Sequence, residues 1–333
     1  MSTLKVSVVI PTYNRAHLIG ETLESVLAQT FGDYEIVVVD DGSIDDTRSV
    51  VARVAPQARY IYQRNTGIPE VLNVCVRAAR GEYIQHLGSD DVLIDDTLAR
   101  SVALLDAHPD VALVHGAAWL IDGESKRLSI SRPTFATADY IRSGREEIRD
   151  LLFSNHIVAP TVMVRRQVML ETGLFDGRFG LYEDWNLWTR IAKKHDIAYS
   201  HEPLVNYRVH SGPSGSIFHT ASTHDIDLYR GMHLDEVLND PSLRDVYAGV
   251  RRKAIALHHM VVANRGCETG EMWYARRSAI KAAFAHPSAV PSATRLFART
   301  LAPTPLVNFV RRRREKRAHE AATPGATTQE LPE

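Results

Sequence analysis

The chain lacks the features on which secreted, membrane-spanning and nucleic-acid-binding proteins depend. Only two of its 333 residues are cysteine, Cys75 and Cys267, too few for a disulfide framework or a cysteine-based metal cluster and typical of a reducing compartment. No apolar run reaches the about 18 residues of a membrane span, and Pro11 interrupts the short run near the N-terminus, so a signal peptide is not expected. The net charge of −1 gives no reason to expect nucleic acid as a partner. We therefore expect a soluble, cytoplasmic protein.

The first third of the chain alternates between short β-branched runs and amphipathic stretches. Strands are predicted at 5–11, 34–43, 58–63 and 82–87, and helices at 15–29, 45–55, 68–80 and 95–108. Strands that alternate with helices pair in parallel and are covered by the helices on both faces. The pattern therefore predicts an α/β fold with a mostly parallel, Rossmann-like central sheet flanked by helices.

The rest of the chain is less regular and then changes character. Strand-like runs open the stretches 110–122 and 156–176, a helix is predicted at 181–195, and 197–216 is a strand followed by a Gly/Ser loop. From residue 217 onward the pattern is helical, without strand runs. We expect three regions: an α/β domain at 1–216, a helical extension at 217–310, and a basic, disordered tail at 311–333.

Two pairs of acidic residues follow predicted strands. Asp40 and Asp41 end the strand "YEIVVVDDGS", and Asp90 and Asp91 follow the strand in "EYIQHLGSDD". One aspartate at a strand end is typically a cap or a turn former. Two pairs at the carboxyl edge of one parallel sheet, where ligands of such sheets bind, favour a site instead. Buried carboxylates there are costly unless a cation or a hydrogen-bond donor meets them.

Three groups of motifs, in one order, resemble the family 2 inverting glycosyltransferases of GT-A fold. They are "VSVVIPTYNR" with "VVVDDGSIDDT", "NTG" with "RGEYIQHLGSDD", and "GLYEDWNLWTR" with "YRVH", and together they span roughly 4–216. The resemblance implies a metal-dependent inverting transferase that moves a sugar from a nucleotide-diphosphate donor, by default a UDP- or dTDP-sugar, to an acceptor hydroxyl. It further implies a saccharide or lipid-linked acceptor and a role in cell-surface polysaccharide or glycolipid assembly.

The resemblance also implies a cation site and a catalytic pair. The implied metal residues are Asp90, Asp91 and His210. Asp90 occupies the metal-ligand position with Asp91 beside it, and His210 of "YRVH" matches a histidine that reaches the metal or the diphosphate in some members. The cation would be Mn²⁺ or Mg²⁺, which prefer oxygen ligands and offset the charge of a diphosphate leaving group. Asp184 lies at the position of the general base, preceded by Glu183, and the sequence does not decide which of the two acids is the base.

The donor site is implied by residues from all three motif groups. These are Pro11, Thr12, Tyr13, Asp40, Arg64, Asn65, Ser89 and Asp90. Two positions depart from the family pattern: Gly88 replaces a common aspartate, and Leu72 replaces a common arginine. A degenerate module that binds a nucleotide sugar or serves as a scaffold is therefore an alternative. The joint presence of metal-site and base residues favours the enzyme, because a binding module needs no base.

The alternating pattern of strands and helices also occurs in another class of enzyme. A nicotinamide dehydrogenase shares the alternating pattern, but no G-x-G-x-x-G follows the first strand, so we reject it.

Near the C-terminus, the basic run 311–317 follows the apolar run 306–310. This run is either a solvated helix end or a peripheral contact of 306–317 with anionic lipid at the inner membrane face.

Overall fold

The computed structural model describes residues 4–210 and 221–301. The strands are β1 (Val6–Thr12), β2 (Tyr34–Asp40), β3 (Arg59–Tyr62), β4 (Tyr83–His86), β5 (Val92–Leu93), β6 (Val111–Ile121), β7 (Arg127–Ser131), β8 (Tyr140–Arg142), β9 (Met163–Arg165) and β10 (Asp196–Arg208). The α-helices are α1 (Ile19–Leu27), α2 (Thr47–Val54), α3 (Ile68–Ala78), α4 (Thr97–Ala107), α5 (Gly144–Leu151), α6 (Arg166–Thr172), α7 (Glu183–Ala192), α8 (Thr223–Leu238), α9 (Arg244–Tyr247), α10 (Arg251–Thr269), α11 (Met272–Ala285) and α12 (Val290–Leu301).

One sheet organises the N-terminal part of the chain, in the order β3-β2-β1-β4-β9-β6-β10-β5. The strands β3, β2, β1 and β4 pair in parallel, as the alternating sequence predicts, and β6 and β10 are parallel as well. Strand β9 lies antiparallel between β4 and β6, and β7 and β8 pair with β6 and β10 outside the main order. The α/β fold with a central sheet flanked by helices and a helical C-terminal part is confirmed.

The core forms where the β-branched strands meet the apolar stripes of the helices. Strand β1 is buried along nearly its whole length, and the stripe of α1 formed by Ile19, Leu23 and Val26 is fully buried. Each such aliphatic side chain removed from water stabilises the fold by about 1.5–3 kcal/mol. Because the strands are buried on both faces, a ligand can reach the sheet at the carboxyl ends of its parallel strands. The acidic turns are held at that edge.

Helix α7 is the most deeply buried of the helices that bear on the site. Trp185 and Trp188 are each 1% exposed, and Leu187 and Ile191 are fully buried. The indole nitrogen of Trp185 donates to the carbonyl of Leu151 at 3.0 Å, which satisfies the buried N–H. This packing fixes the N-terminal turn of α7, where the two candidate catalytic acids lie.

The C-terminal helices divide between two compact units, 1–254 and 255–333. Helix α8 lies in the unit of the sheet, because Arg230 donates to the carbonyl of Phe153 at 2.7 Å and His233 stacks 4.6 Å from the Trp185 ring. That unit thus extends past the predicted boundary at residue 216. The second unit has an alanine-rich core that includes Ala275, Ala279 and Ala282. The predicted tail lies outside the described residues.

None of the helices in the described ranges has the length and apolar character needed to cross a bilayer.

Candidate active site

A cavity of about 410 Å³ opens at the carboxyl ends of β1, β2 and β4. It is closed on the other side by α3 and the N-terminal turn of α7. The predicted site residues on its wall are Pro11, Thr12, Tyr13, Asn65, Ser89, Asp90, Glu183 and Asp184. The fold thus brings together residues from all three motif groups, which extend from Pro11 to Asp184 in the chain.

The acidic turn after β2 contributes Asp41 to the cavity wall, whereas Asp40 lies behind it. The Asp40 carboxylate is 1% exposed and accepts hydrogen bonds from the Tyr60 hydroxyl and, at 2.7 Å, from the Ser43 amide. Asp41 accepts the backbone amides of Thr66 and Gly67, each at 2.9 Å, and so holds the 63–67 loop at the cavity mouth. Because Asp40 and Asp41 are adjacent in the sequence, either of them could face the ligand.

Arg64 is the second predicted donor residue that lies off the cavity wall. It is exposed in the 63–67 loop, and its neighbour Asn65 lines the cavity instead. Arg15, which sequence reasoning missed, lies on the wall beside Tyr13 and supplies a basic group. Its guanidinium Nε lies 3.8 Å from Asp90 Oδ2. A cation close to the acidic turn is therefore present, at a position that the motif comparison did not indicate.

Asp90 and His210 converge although 120 positions separate them in the chain. His210 Nε2 lies 2.6 Å from Asp90 Oδ2, and the two side chains are 21% and 20% exposed. His210 follows β10, which pairs with β5 directly after the acidic turn. Because β5 and β10 fix this register, the contact between the acid and the imidazole is set by the sheet. A carboxylate oxygen and an imidazole nitrogen at this distance can share one divalent cation.

Asp91 plays a different part from its neighbour. It is 3% exposed, does not line the cavity, and accepts the backbone amide of Arg208 at 2.9 Å. Burial, and then the nearby Asp90 carboxylate, raise the pKa of Asp91 well above its usual range. The side chain joins the turn after β4 to the end of β10. It therefore holds Asp90 and His210 in register from behind the site.

The absence of a side chain at Gly88 is explained by the position of the Asp91 carboxylate. A Cβ at this position would lie 2.4 Å from Asp91 Oδ2 and 3.1 Å from Asp90 Oδ1. The space that a side chain would need at residue 88 is occupied by the Asp91 carboxylate. An aspartate there would require the Asp91 side chain to shift and would add a third carboxyl group to the turn. The departure from the family pattern is thus matched to this turn.

The two acids at the start of α7 face the cavity from the opposite wall. Asp184 Oδ1 accepts the Trp185 amide at 2.6 Å, and Oδ2 accepts the side-chain amide of Asn155 at 3.2 Å. Burial raises the pKa of Asp184 to about 6. Asn155, which sequence reasoning missed, orients the carboxylate without neutralising it. A half-buried carboxylate with a raised pKa and a fixed orientation is suited to accept a proton near neutral pH.

Glu183 is more enclosed than Asp184. It is 9% exposed, and its Oε2 has no hydrogen-bond partner within the part of the chain that the structure describes. Burial, followed by the charge of Asp184, raises the pKa of Glu183 well above that of an ordinary glutamate. The unpartnered oxygen makes Glu183 available to a hydroxyl in the cavity.

The remaining wall is apolar. It includes Leu72, at the position where the family pattern has a basic residue, together with Val71, Phe175 and Trp188. His86 also lines the cavity, and burial lowers its pKa to about 4, so the ring is neutral at physiological pH. These side chains exclude water from one side of the cavity and raise the pKa values of the acids that face them.

Comparison with the profiles of known protein families shows to which family the chain belongs. The profile described as Glycosyl transferase family 2 matches residues 7–174. The chain belongs to this family. Its α/β sheet with flanking helices has the GT-A-like arrangement.

Named relatives agree with the family assignment. The chain is 31% identical over 218 residues to a PGL/p-HBAD biosynthesis glycosyltransferase of Mycobacterium bovis, a match that covers 63% of this chain and 79% of the relative. It is 30% identical over 211 residues to an uncharacterised glycosyltransferase of Rickettsia prowazekii, covering 62% of this chain and 64% of that protein. The chain thus spans less than two thirds of the Rickettsia protein.

Solved structures show the same fold. S. aureus TarS 1–349 in complex with UDP-GlcNAc superposes with a TM-score of 0.56 at 19% identity, over 82% of this chain and 88% of that one. The mannosyltransferase PcManGT of Pyrobaculum calidifontis, in complex with GDP-Man and Mn²⁺, gives a TM-score of 0.51 at 20% identity, over 90% and 86% of the chains. At these identities the similarity concerns the fold.

Proposed function

We propose that this glycosyltransferase family member is a metal-dependent inverting enzyme that transfers a sugar from a nucleotide-diphosphate donor to an acceptor hydroxyl. The observation that carries the proposal is one cavity with acids on two walls: Asp90 on one side, and Asp184 with Glu183 on the other. His210 does not line the cavity but contacts the Asp90 carboxylate at 2.6 Å. A UDP- or dTDP-sugar is the expected donor. The expected role is the assembly of cell-surface polysaccharide or glycolipid, from a saccharide or lipid-linked acceptor.

The first wall fits a divalent cation. Asp90 offers an oxygen and His210 a nitrogen, both partly exposed, and Asp91 behind them is occupied by the Arg208 amide. We therefore assign Mn²⁺ or Mg²⁺ to Asp90 and His210 and give Asp91 the supporting role. When bound, the cation would neutralise charge on the diphosphate as the bond to the sugar breaks. Arg15 adds a positive charge on the same side.

The nucleotide is expected at the mouth formed by the carboxyl ends of β1 and β2. Tyr13 is 48% exposed there, which leaves its ring accessible for stacking on a base. Pro11, Thr12 and Asn65 border the same opening, and Asp41 fixes the loop that carries Asn65. The diphosphate is then expected near Ser89 and Asp90, deeper in the cavity.

Asp184 is the proposed general base. Its carboxylate takes the proton of the acceptor hydroxyl while the acceptor oxygen attacks the anomeric carbon from the face opposite the leaving diphosphate, which inverts the configuration. Asn155 holds the carboxylate in place. Glu183, whose raised pKa favours the protonated form, is placed to donate a hydrogen bond to a sugar hydroxyl.

The alternative is a degenerate module that binds a nucleotide sugar without transferring it. Leu72 supports this alternative, because an apolar side chain replaces a basic contact on the cavity wall. Gly88 does not support it, since Asp91 occupies the space of the missing side chain. A pure binding site would gain nothing from the oriented, buried carboxylate of Asp184. The enzyme is therefore the better interpretation.

A panel of nucleotide sugars tests the proposal. We expect the purified chain to bind or slowly hydrolyse one UDP- or dTDP-sugar when Mn²⁺ or Mg²⁺ is present, and to lose this activity when the cation is chelated. Calorimetry and nucleotide release are the measurements, with a nucleoside monophosphate as the control that lacks the diphosphate. Cation-dependent binding without any turnover, across donors and simple acceptors, would favour the degenerate module.

A peripheral contact with anionic lipid is proposed for 306–317, which lies outside the described residues. Basic residues near a membrane contribute about 1 kcal/mol each, an interaction that weakens as salt screens it. We expect the full chain to co-sediment with anionic liposomes more than a truncation after Asn308 does, with salt reducing the difference. Neutral liposomes are the control. Equal partitioning of both chains at every salt concentration would contradict the contact and its place at the inner membrane face.

A further inference from the structure

A second convergent set of side chains lies outside the cavity. His115 on β6, Glu147 on α5 and His156 in the turn after α5 each bring a ligand atom within 4.8 Å of the others. The side chains of His115 and Glu147 are fully buried, and that of His156 is 7% exposed. None of the three lines the donor cavity. The cluster is therefore not part of the site described above.

The buried histidine is not satisfied by the hydrogen bonds around it. His115 Nε2 lies 3.9 Å from Glu147 Oε1, beyond hydrogen-bond reach, and makes only a long contact of 3.4 Å with the Tyr140 hydroxyl. Its Nδ1 has no partner within the described ranges. His156 Nε2 lies 2.5 Å from the same Glu147 oxygen. A fully buried imidazole aimed at a carboxylate without bonding to it is costly unless something joins the two.

The carboxylate is held in a fixed orientation by its other oxygen. Arg142 Nε donates to Glu147 Oε2 at 2.5 Å, and the same guanidinium donates to Asp150 at 2.7 Å. Arg142 also stacks on the rings of Phe135 and Tyr140, at 4.7 and 4.6 Å. Glu147 Oε1 is thereby left facing the two imidazoles. An outer partner that orients a carboxylate ligand in this way is a common feature of metal sites.

We propose that His115 Nε2, Glu147 Oε1 and His156 Nε2 bind a zinc ion. Two imidazoles and one carboxylate are a zinc ligand set, and the second imidazole favours zinc over magnesium or manganese, which bind mainly through oxygen. The fourth position faces the Tyr140 hydroxyl or a water molecule. Because a ring nitrogen that binds zinc carries no proton, His156 Nε2 would exchange its contact with Glu147 for the metal.

The zinc ion would secure the segment that supports the candidate base. Asn155, next to His156, donates to Asp184, and the carbonyls of Leu151 and Phe153 accept from Trp185 and Arg230. The segment between α5 and β9 is thus tied to α7 and α8 at several points. A metal at His156 would fix it to β6 as well. The role is structural and does not depend on the proposed transfer reaction.

The test measures zinc in the full chain, in a background where Asp90→Ala and His210→Ala remove the donor cation site. We expect about one zinc ion per chain by elemental analysis after dialysis, and a visible d–d absorption band when Co²⁺ replaces it. His115→Gln and His156→Gln should each abolish both signals. His233→Gln, at another buried histidine outside the cluster, should retain them.

The wild-type chain provides a measurement that does not depend on the folding of any variant. After stripping with a chelator and saturation of the donor cation site with Mg²⁺, addition of Zn²⁺ should raise its melting temperature further, because each ligand that binds only the folded state stabilises it. A stripped chain that takes up no zinc, shows no Co²⁺ band and gains no thermal stability would overturn the proposal. The three residues would then be a buried hydrogen-bonded cluster.

Discussion

Replacing Asp184 with asparagine is expected to slow sugar transfer by about 100-fold or more while donor affinity stays unchanged. The amide keeps the size of the side chain and can still bond to the Trp185 amide through its oxygen, but it cannot take a proton from the acceptor hydroxyl. Steady-state kinetics with a cognate donor and acceptor measure kcat and KM, and calorimetry measures donor affinity. Near wild-type turnover in this variant would remove Asp184 from the role of base.

Glu183→Gln is the matched control, because it changes the neighbouring acid in the same way. Since Glu183 is buried with a raised pKa, it is expected to be largely protonated at neutral pH, and its amide should cost less activity than that of Asp184. If the order of the two effects is reversed, Glu183 is the base. If both variants retain full transfer, neither acid is required for catalysis.

The pH profile provides a second readout of the same assignment. The base must be ionised to act, and burial raises the pKa of Asp184 to about 6. Wild-type kcat/KM should therefore fall as the pH drops through about 6 and stay high above it. The Asp184→Asn variant should lack this acidic limb, which a purely structural defect would not remove.

Replacing Asp90 with alanine is expected to lower cation-dependent donor affinity by about 100-fold or more, because a cation facing a diphosphate contributes several kcal/mol. The change removes the oxygen that faces His210 at 2.6 Å and leaves the imidazole as the remaining assigned ligand. Calorimetry with the donor and Mn²⁺ measures the loss, and a parallel titration without metal gives the baseline.

The control for Asp90 is Asp95→Ala, an exposed acid that follows the same turn but does not line the donor cavity. It should bind donor and cation as the wild type does. Circular dichroism should show that Asp90→Ala stays folded, since the side chain is partly exposed at the sheet edge. Undiminished affinity with Mn²⁺ in the folded Asp90 variant would show that the cation is held elsewhere.

The periodic part of the fold could be predicted from local sequence. The β-branched runs and apolar stripes of the first 108 residues correspond to β1 to β4 and α1 to α4, with ends that differ by a few residues. Short strands could not be predicted in this way. Strand β5 has only two residues and β9 three, so neither contains a detectable period. Their pairing with β10 and with β4 and β6 is decided by the sheet around them.

The candidate site, too, could be predicted from the sequence only in part. Tyr13 and Asp90 could be expected close together, because both follow parallel strands whose carboxyl ends lie at one edge of the sheet. Asp184 lies at the start of helix α7, so only the resemblance to the family linked it to them. Asp40 was the predicted donor residue, but in the fold Asp41 lies on the cavity wall instead. The Asp40 carboxylate is engaged by the Tyr60 hydroxyl, a contact between two strands that the sequence does not show.

The sequence by itself determined the family, the α/β alternation and the acids that end the strands. Each of these is carried by short motifs, and the residues within one motif are close together in the chain. The tertiary structure alone decided the partners: Asp90 with His210, Asp184 with Asn155, and Asp91 in the space beside Gly88. Each partnership joins different elements of the fold. Local periodicity fixes which side of a strand or helix is buried, but only the packing of the sheet against its helices fixes which side chains meet.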